Sequence, residues 1–273
     1  MSDTCIIIPA RFKSSRFPGK PLVKLLGKEM ILWVAEIAEK VLRRNHVFIA
    51  TDNDEIEKIA LRNNFKCIKT KKNALTGTDR VALAAKELNY KNIINIQGDE
   101  PLVSPEDIEE CIHLKNRYPH HVINGFCQIG RDEDALSINI PKLVINSENE
   151  LIYISRSLIP GRKSREESKN MKYIKQVCIY GFSNFELNKF HNFGKKSYLE
   201  ELEDIEILRF KELDIKIKMF KCHEGSIAVD VPSDVQKVEN TFSLDEIISS
   251  AKKRIPNATE ELKRSENTDN NRG

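Results

Sequence analysis

The sequence predicts a three-layer α/β/α domain on an open, mostly parallel sheet. Short apolar runs rich in β-branched residues recur at Cys5-Ile6-Ile7-Ile8, Val47-Phe48-Ile49-Ala50 and Ile93-Ile94-Asn95-Ile96, as in strands covered on both faces. Segments of helical period lie between them, and capping residues mark the joints. Such βαβα alternation builds a parallel sheet and gathers ligands beyond the carboxyl ends of its strands.

The first strand, Cys5-Ile6-Ile7-Ile8, runs into a loop reading Pro9-Ala10-Arg11-Phe12-Lys13-Ser14-Ser15-Arg16-Phe17-Pro18-Gly19-Lys20-Pro21-Leu22. Arg11, Lys13, Arg16 and Lys20 crowd this proline-stiffened stretch and repel one another unless an anion joins them, so a polyphosphate is the natural partner. Met30, Val34, Ile37 and Val41 recur at helical spacing, with Trp33 and Ala38 widening the stripe. After the strand at 47–50, Thr51 or Asp52 is expected to cap a helix whose first turn holds Asp54 and Glu55. Phe65-Lys66-Cys67-Ile68 reads as a third strand. Gly77-Thr78-Asp79-Arg80 introduces a helix carrying Val81, Ala84, Ala85 and Leu88. The fourth strand, 93–96, enters Gln97-Gly98-Asp99-Glu100-Pro101, and Ser104, Pro105 and Asp107 start another helix.

The rhythm changes past residue 120. Strands at 142–145 and 151–155 form a hairpin across Asn146-Ser147-Glu148-Asn149. A strand at 176–182, one charged helix over 199–213 and an alternating strand at 216–220 follow. Ser226-Ile227-Ala228-Val229 reads as a last strand ending on Asp230, and Pro232-Ser233-Asp234 opens a helix. Residues 1–250 make one domain, with the hairpin lobe at about 131–182, and the charged, Asn-rich stretch 251–273 is expected to be a disordered tail.

The chain has 273 residues, 40% of them hydrophobic, and a net charge of +3 with both signs interspersed. That supports a sizeable core and argues against a nucleic-acid binder. No apolar run is long enough to span a bilayer and no signal peptide is visible, so no membrane partner is expected. The six scattered cysteines read as buried thiols of a cytoplasmic protein rather than disulfides. His120 and His121 are adjacent, a spacing that argues against a zinc site.

Asp99 and Asp230 each follow an apolar strand and so fall at the ligand edge of the sheet. Singly, Asp99 could begin a turn and Asp230 cap a helix. Together with the cationic loop they resemble a site for a nucleoside triphosphate with Mg²⁺, which takes one or two carboxylates plus phosphate oxygens. The chain has no GxxxxGK[ST] and no GxGxxG after the first strand, which argues against P-loop kinases and dinucleotide oxidoreductases. The phosphate grip rests instead on Arg11, which can fork across two oxygens, and Lys20, a mobile point charge. Lys13 and Arg16 read equally well as solvated surface charges.

The loop with Pro9-Ala10-Arg11 and Pro18-Gly19-Lys20-Pro21-Leu22 resembles that of the sugar-acid cytidylyltransferases, most nearly the 3-deoxy-manno-octulosonate (Kdo) cytidylyltransferase family. The resemblance continues in order through Ala50-Thr51-Asp52, Gly77-Thr78-Asp79-Arg80, Gln97-Gly98-Asp99-Glu100-Pro101, Tyr153-Ile154-Ser155-Arg156 with Ile159-Pro160, and Ile179-Tyr180-Gly181. It extends to Leu199-Glu200…Glu203…Glu206…Leu208-Arg209 and Val229-Asp230…Pro232…Asp234. It implies a Rossmann-like nucleotidyltransferase fold with a smaller β-rich dimerisation lobe, a homodimer, and transfer of CMP from CTP to an ulosonic acid with release of pyrophosphate. Asp99 and Asp230 would hold Mg²⁺. Arg11 and Lys20 would act on the triphosphate, with Pro9, Ala10, Gly77, Arg80 and Gln97 around the nucleotide. Arg156, Gln176, Tyr180, Phe182, Glu200 and Glu203 would face the sugar.

The sequence departs from the family on the sugar side. The family strand His-Leu-Gly-Ile-Tyr-Gly-Tyr is Gln176-Val177-Cys178-Ile179-Tyr180-Gly181-Phe182 here, a glutamine is replaced by Ile207, and a proline by Tyr198. If three polar groups have left the pocket, an amino-substituted or otherwise modified ulosonic acid becomes an alternative substrate; unchanged use of Kdo is the other reading. A cytidylyltransferase for sialic- or legionaminic-type nonulosonic acids shares the nucleotide site, and only the sugar half and the overall spacing speak against it. A regulatory nucleotide binder without turnover has less need of both Asp99 and Asp230. An interaction module would explain the tail but not the loop.

Overall fold

The computed structural model describes residues 3–13, 17–130, 133–161, 163, 172–223 and 227–242. Strand β1 (Thr4–Ala10) leads through a 3-10 turn (Lys20–Leu22) and a two-stranded ribbon, β2 (Lys24–Leu25) and β3 (Lys28–Glu29), into α1 (Met30–Val41). Next come β4 (Val47–Thr51), α2 (Asp54–Arg62), β5 (Lys66–Lys69), α3 (Gly77–Ala85), β6 (Asn92–Ile96) and α4 (Pro105–Arg117). The second half holds β7 (Val122–Gln128), β8 (Lys142–Ile145), β9 (Leu151–Ser155), β10 (Ile174–Ser183), α5 (Asn184–Asn192), α6 (Tyr198–Glu203), α7 (Ile207–Glu212) and β11 (Ile217–Lys221). A helix α8 covers 232–242.

The main sheet runs β11-β7-β10-β6-β1-β4-β5. β1 is parallel to β4 and β6, β4 to β5, and β7 to β11, while β10 is antiparallel to both β6 and β7. Side chains alternate across the sheet as a period of two requires. Ile6 and Ile8 of β1 meet Ile31, Val34 and Ala35 of α1 with Ile108 and Cys111 of α4, whereas Cys5 and Ile7 belong with Val81 and Ala84 of α3, Phe190 of α5 and Phe210 of α7. Helices thus cover both faces, as predicted. A third cluster, Leu25, Met30, Val229 and Val238, joins the β2–β3 ribbon to α8.

Several expectations need correction. Asn53 caps α2, its Oδ1 accepting from Glu55 N (2.9 Å) and Ile56 N (3.0 Å), because β4 runs on through Thr51 and Asp52 turns towards Arg80. The predicted helix over 199–213 is two helices, α6 and α7, broken where Asp204 takes a left-handed φ of 50°. Residues 227–230 lie outside any strand, with Val229 N donating to Asp99 O at 2.9 Å, and Ser226 is outside the described residues.

Strand β10 belongs to the main sheet, so the smaller lobe is essentially the β8–β9 hairpin, paired to β10 at Lys142 and Lys175. Strand β7 was not foreseen, because Asn124 and Gly125 interrupt its apolar run. Asn124 is buried, its Nδ2 donating to the carbonyls of Val177 (3.0 Å) and Ile179 (2.8 Å) beside a bulge in β10, and a Cβ on Gly125 would come within 2.4 Å of Cys222 Sγ. All six cysteines are free; Cys5, Cys111, Cys127 and Cys222 are buried, Cys67 and Cys178 only partly. Among the described residues no helix is long and apolar enough to cross a membrane. Arg16 and the tail at 251–273 lie outside the described residues.

Candidate active site

A cleft of about 900 Å³ opens at the carboxyl ends of β1 and β6 and extends towards the β8–β9 hairpin. Pro9, Arg11, Lys20, Gln97, Asp99 and Asp230 all line it. The loop after β1 is shaped by its own chemistry. Gly19 takes φ 72°, a conformation glycine adopts without cost, and its N–H donates to Phe12 O at 2.8 Å. Pro21 is buried in the 3-10 turn that follows. Lys20 is thereby carried across the cleft, where its ammonium hydrogen-bonds Asp99 and lies 3.5 Å from Asp230 Oδ1.

Asp99 stands on the turn after β6. Asp230 is placed by its neighbour Asp234, whose Oδ2 accepts from the N–H groups of Asp230 and Val231, both at 3.1 Å. Two acids distant in sequence therefore share one cation. Among the described residues no group of three or more His, Cys, Asp or Glu side chains could hold a metal. A pair of carboxylates around a cation-sized space suits a hard ion that completes its shell with phosphate and water, as Mg²⁺ does.

Where the nucleotide was expected, Thr76 caps α3, its Oγ1 accepting from Asp79 N at 3.1 Å. Gly77 follows because the Gln97 amide lies against the helix start, where a Cβ would come within 2.9 Å of both its terminal atoms. Arg80 is 3% exposed and 3.4 Å from Asp52 Oδ2; burial pulls its pKa down, with Asp52 opposing. Ala10, expected to meet the nucleotide through its backbone, packs its side chain into the core with Ile6 and Ile8. Lys13 is exposed and lines no part of the cleft.

On the other side, Gln176, Cys178 and Tyr180 of β10 line the cleft. The Gln176 amide donates to Asn124 Oδ1 at 3.0 Å, and Cys178 N donates to Glu100 Oε1 at 3.1 Å. Burial above all raises the pKa of both Cys178 and Tyr180, so thiol and phenol are neutral hydrogen-bonding groups.

Three of the expected sugar contacts are instead structural. Phe182 is fully buried in the core, its ring 5.7 Å from Tyr180 and 5.3 Å from Phe210. Glu203 accepts from Ser155 Oγ (2.6 Å) and Arg156 N (2.9 Å) and does not line the cleft. Glu200 touches the wall, but its carboxylate is bidentate to Arg209 at 2.6 Å on both arms. Arg156 lines the cleft while spending its guanidinium on the carbonyls of Ile138 (2.8 Å), Glu203 (2.5 Å) and Asp204 (3.0 Å), which pins the hairpin to the α6–α7 junction. Ile207 is also core. The tyrosine-to-phenylalanine and glutamine-to-isoleucine departures therefore fall outside the cleft.

Sequence reasoning gave Glu206 no role in the site. Its carboxylate accepts from Gly77 N (3.0 Å), Thr78 N (2.8 Å) and Thr78 Oγ1 (2.6 Å), occupying the start of α3 within the cleft. The signal was its place in the Glu200…Glu203…Glu206 run. Beneath it, Arg209 joins Glu200 to Asp79, 3.2 Å away, and to the Phe190 carbonyl, tying α3, α5, α6 and α7 together.

Residues 5–218 match the family profile described as Cytidylyltransferase. The chain is 35% identical over 239 residues to the 3-deoxy-manno-octulosonate cytidylyltransferase of Bdellovibrio bacteriovorus, covering 87% of this chain and 96% of that one. Against the Escherichia coli enzyme of the same name it is 33% identical over 238 residues, covering 87% and 95%. It is also 35% identical over 250 residues to the 8-amino-3,8-dideoxy-manno-octulosonate cytidylyltransferase of Shewanella baltica, covering 89% and 100%. Among solved structures, that of CMP:2-keto-3-deoxy-manno-octonic acid synthetase complexed with CTP superposes with a TM-score of 0.81 at 32% identity, covering 89% of this chain and 100% of the other.

Proposed function

The chain belongs to the 3-deoxy-manno-octulosonate cytidylyltransferase family of nucleotidyltransferases, and we propose that it transfers CMP from CTP to the anomeric hydroxyl of Kdo, releasing pyrophosphate. The observation that carries the reading is the meeting of Asp99 and Asp230 on the Lys20 ammonium at one end of the cleft. In the reaction the hydroxyl attacks the α-phosphate in line with departing pyrophosphate, a step that needs positioning and charge neutralisation more than covalent chemistry. Lys20 and Arg11 bind the triphosphate and stabilise the charge on the leaving pyrophosphate. Gln97, Gly77 and Arg80 line the nucleoside end, where buried Arg80 offers a charged donor. Gln176 and Tyr180 orient the sugar acid. Magnesium, which Asp99 and Asp230 suit, supplies Lewis-acid polarisation of the α-phosphate and lowers the pKa of the attacking hydroxyl when bound.

The activated sugar serves lipopolysaccharide or another surface glycan, and the cytoplasm is its place of synthesis. The functional unit is a homodimer joined through the hairpin lobe. In support, Leu136, Ile138 and Ile152 of the lobe and Tyr198 and Leu202 of α6 are all more than half exposed, an apolar surface on adjoining elements.

A second reading, an 8-amino-substituted Kdo as acceptor, is supported by the acidic Glu133 and Asp134 on the cleft wall near Gln176 and by an identity to the Shewanella enzyme equal to that for the Bdellovibrio one. Pyrophosphate release with CTP, Mg²⁺ and a panel of Kdo, 8-amino-Kdo and nonulosonic acids tests both. Kdo is expected to turn over best, a clear preference for the amino sugar moves the assignment to it, and no release with any acid refutes the enzyme.

A further inference from the structure

Lys20 occupies the space between the two acids that the proposed reaction gives to a divalent ion. Its ammonium hydrogen-bonds Asp99 and lies 3.5 Å from Asp230 Oδ1, and its side chain is 13% exposed, less than that of Asp99 at 25% or Asp230 at 29%. The position is built in. Gly19 and Pro21 fix the turn that delivers Lys20, and the cluster of Leu25, Met30, Val229 and Val238 holds the following ribbon against the segment bearing Asp230. Arg11, the other cation of the loop that lines the cleft, adds a smaller share, after Lys196 and Arg156, to holding the Asp204 carboxyl below its usual range.

We propose that Lys20 is an internal counter-ion that holds Asp99 and Asp230 in place of the metal until the triphosphate arrives to take its ammonium. The proposal rests on the assignment of these acids to a divalent ion. With Lys20 in place, a lone divalent ion must displace or face an ammonium to enter. The triphosphate offers that ammonium a stronger anionic partner, so the carboxylates are released as the metal–nucleotide complex docks. Lys20 thus acts first on the carboxylates and then on the phosphates. Metal binding becomes conditional on nucleotide, and the two acids do not collect divalent ions idly.

The test is titration of the full chain with Mn²⁺ in the absence of nucleotide, reading free ion by electron paramagnetic resonance. Because carbonyl- and carboxylate-site affinity follows ligand charge, Lys20→Met and Lys20→Gln are expected to bind Mn²⁺ about tenfold more tightly than the unaltered chain. Lys20→Arg, which keeps the charge, should restore weak binding. Asp99→Asn in the Lys20→Met background should abolish the gain. If neither neutral variant binds more tightly although Asp99→Asn still weakens Mn²⁺ binding, the counter-ion role is refuted and the metal assignment stands. If Asp99→Asn changes nothing in any background, the metal assignment is overturned and the proposal falls with it. Turnover of CTP and Kdo is measured separately, so neither result is confused with loss of the enzyme activity itself.

Discussion

Asp99→Ala and Asp230→Ala are each expected to lower kcat by about a thousandfold, the scale of removing one principal electrostatic stabiliser. Circular dichroism should be unchanged because both side chains sit at the cleft surface, and pyrophosphate release reads the effect. A variant with near-normal turnover would refute the metal assignment. Pro9, Arg11, Gln97 and Asp99 were legible because they stand at or just beyond the ends of β1 and β6; Lys20 and Asp230 join them in one cleft although Lys20 lies in a 3-10 turn and no strand precedes Asp230. Phe182 and Glu203 were misjudged because sharing a motif with a cleft residue does not fix which way a side chain points. Phe182 lies on the same face of β10 as Tyr180, yet two residues further along it is under α7 and within the core.

Among elements, the strongest tie around the cleft is the buried group of Arg209 with Glu200 and Asp79, in which Arg209 also stacks 3.7 Å from the Phe190 ring centre. Arg209→Met is expected to destabilise the chain by about 3–5 kcal/mol, because it strands two buried carboxylates without a cation. Urea unfolding measures the loss, and a change within error would show that Glu200 and Asp79 find other partners. A comparable pin holds α4 to α5, where Lys115 Nζ reaches both Glu186 oxygens at 2.8 and 2.9 Å. The parallel half of the sheet was readable because unbroken apolar runs signal strands covered on both faces. Strand β7 was not, since its buried Asn124 repairs a bulge in a partner more than fifty residues away. The division of α6 from α7 was hidden too. It depends on the left-handed Asp204, whose carbonyl receives Arg156 from the hairpin and whose carboxylate is held by Lys196 at 2.7 Å.

At the scale of the whole molecule, the sheet divides the labour. Its parallel half lines the end of the cleft proposed for the nucleotide, and antiparallel β10 with the attached hairpin lines the end proposed for the sugar and carries the apolar flank. Leu136→Asp combined with Ile138→Asp is expected to turn the proposed dimer into a monomer, with light scattering as the measurement. A particle of unchanged mass would place the interface elsewhere, and a monomeric unaltered chain would remove it. Overall architecture was more legible than this flank, because exposure depends on which loop residues the hairpin leaves uncovered. Trp33 has a practical consequence of another kind. It is the sole tryptophan of the chain, its indole N–H donates to Leu25 O at 2.9 Å, and its ring stacks 4.4 Å from that of Phe242 on α8. The protein's ultraviolet emission therefore originates where the ribbon after Lys20 meets the helix after Asp230, so an unlabelled sample carries its own optical gauge of that joint.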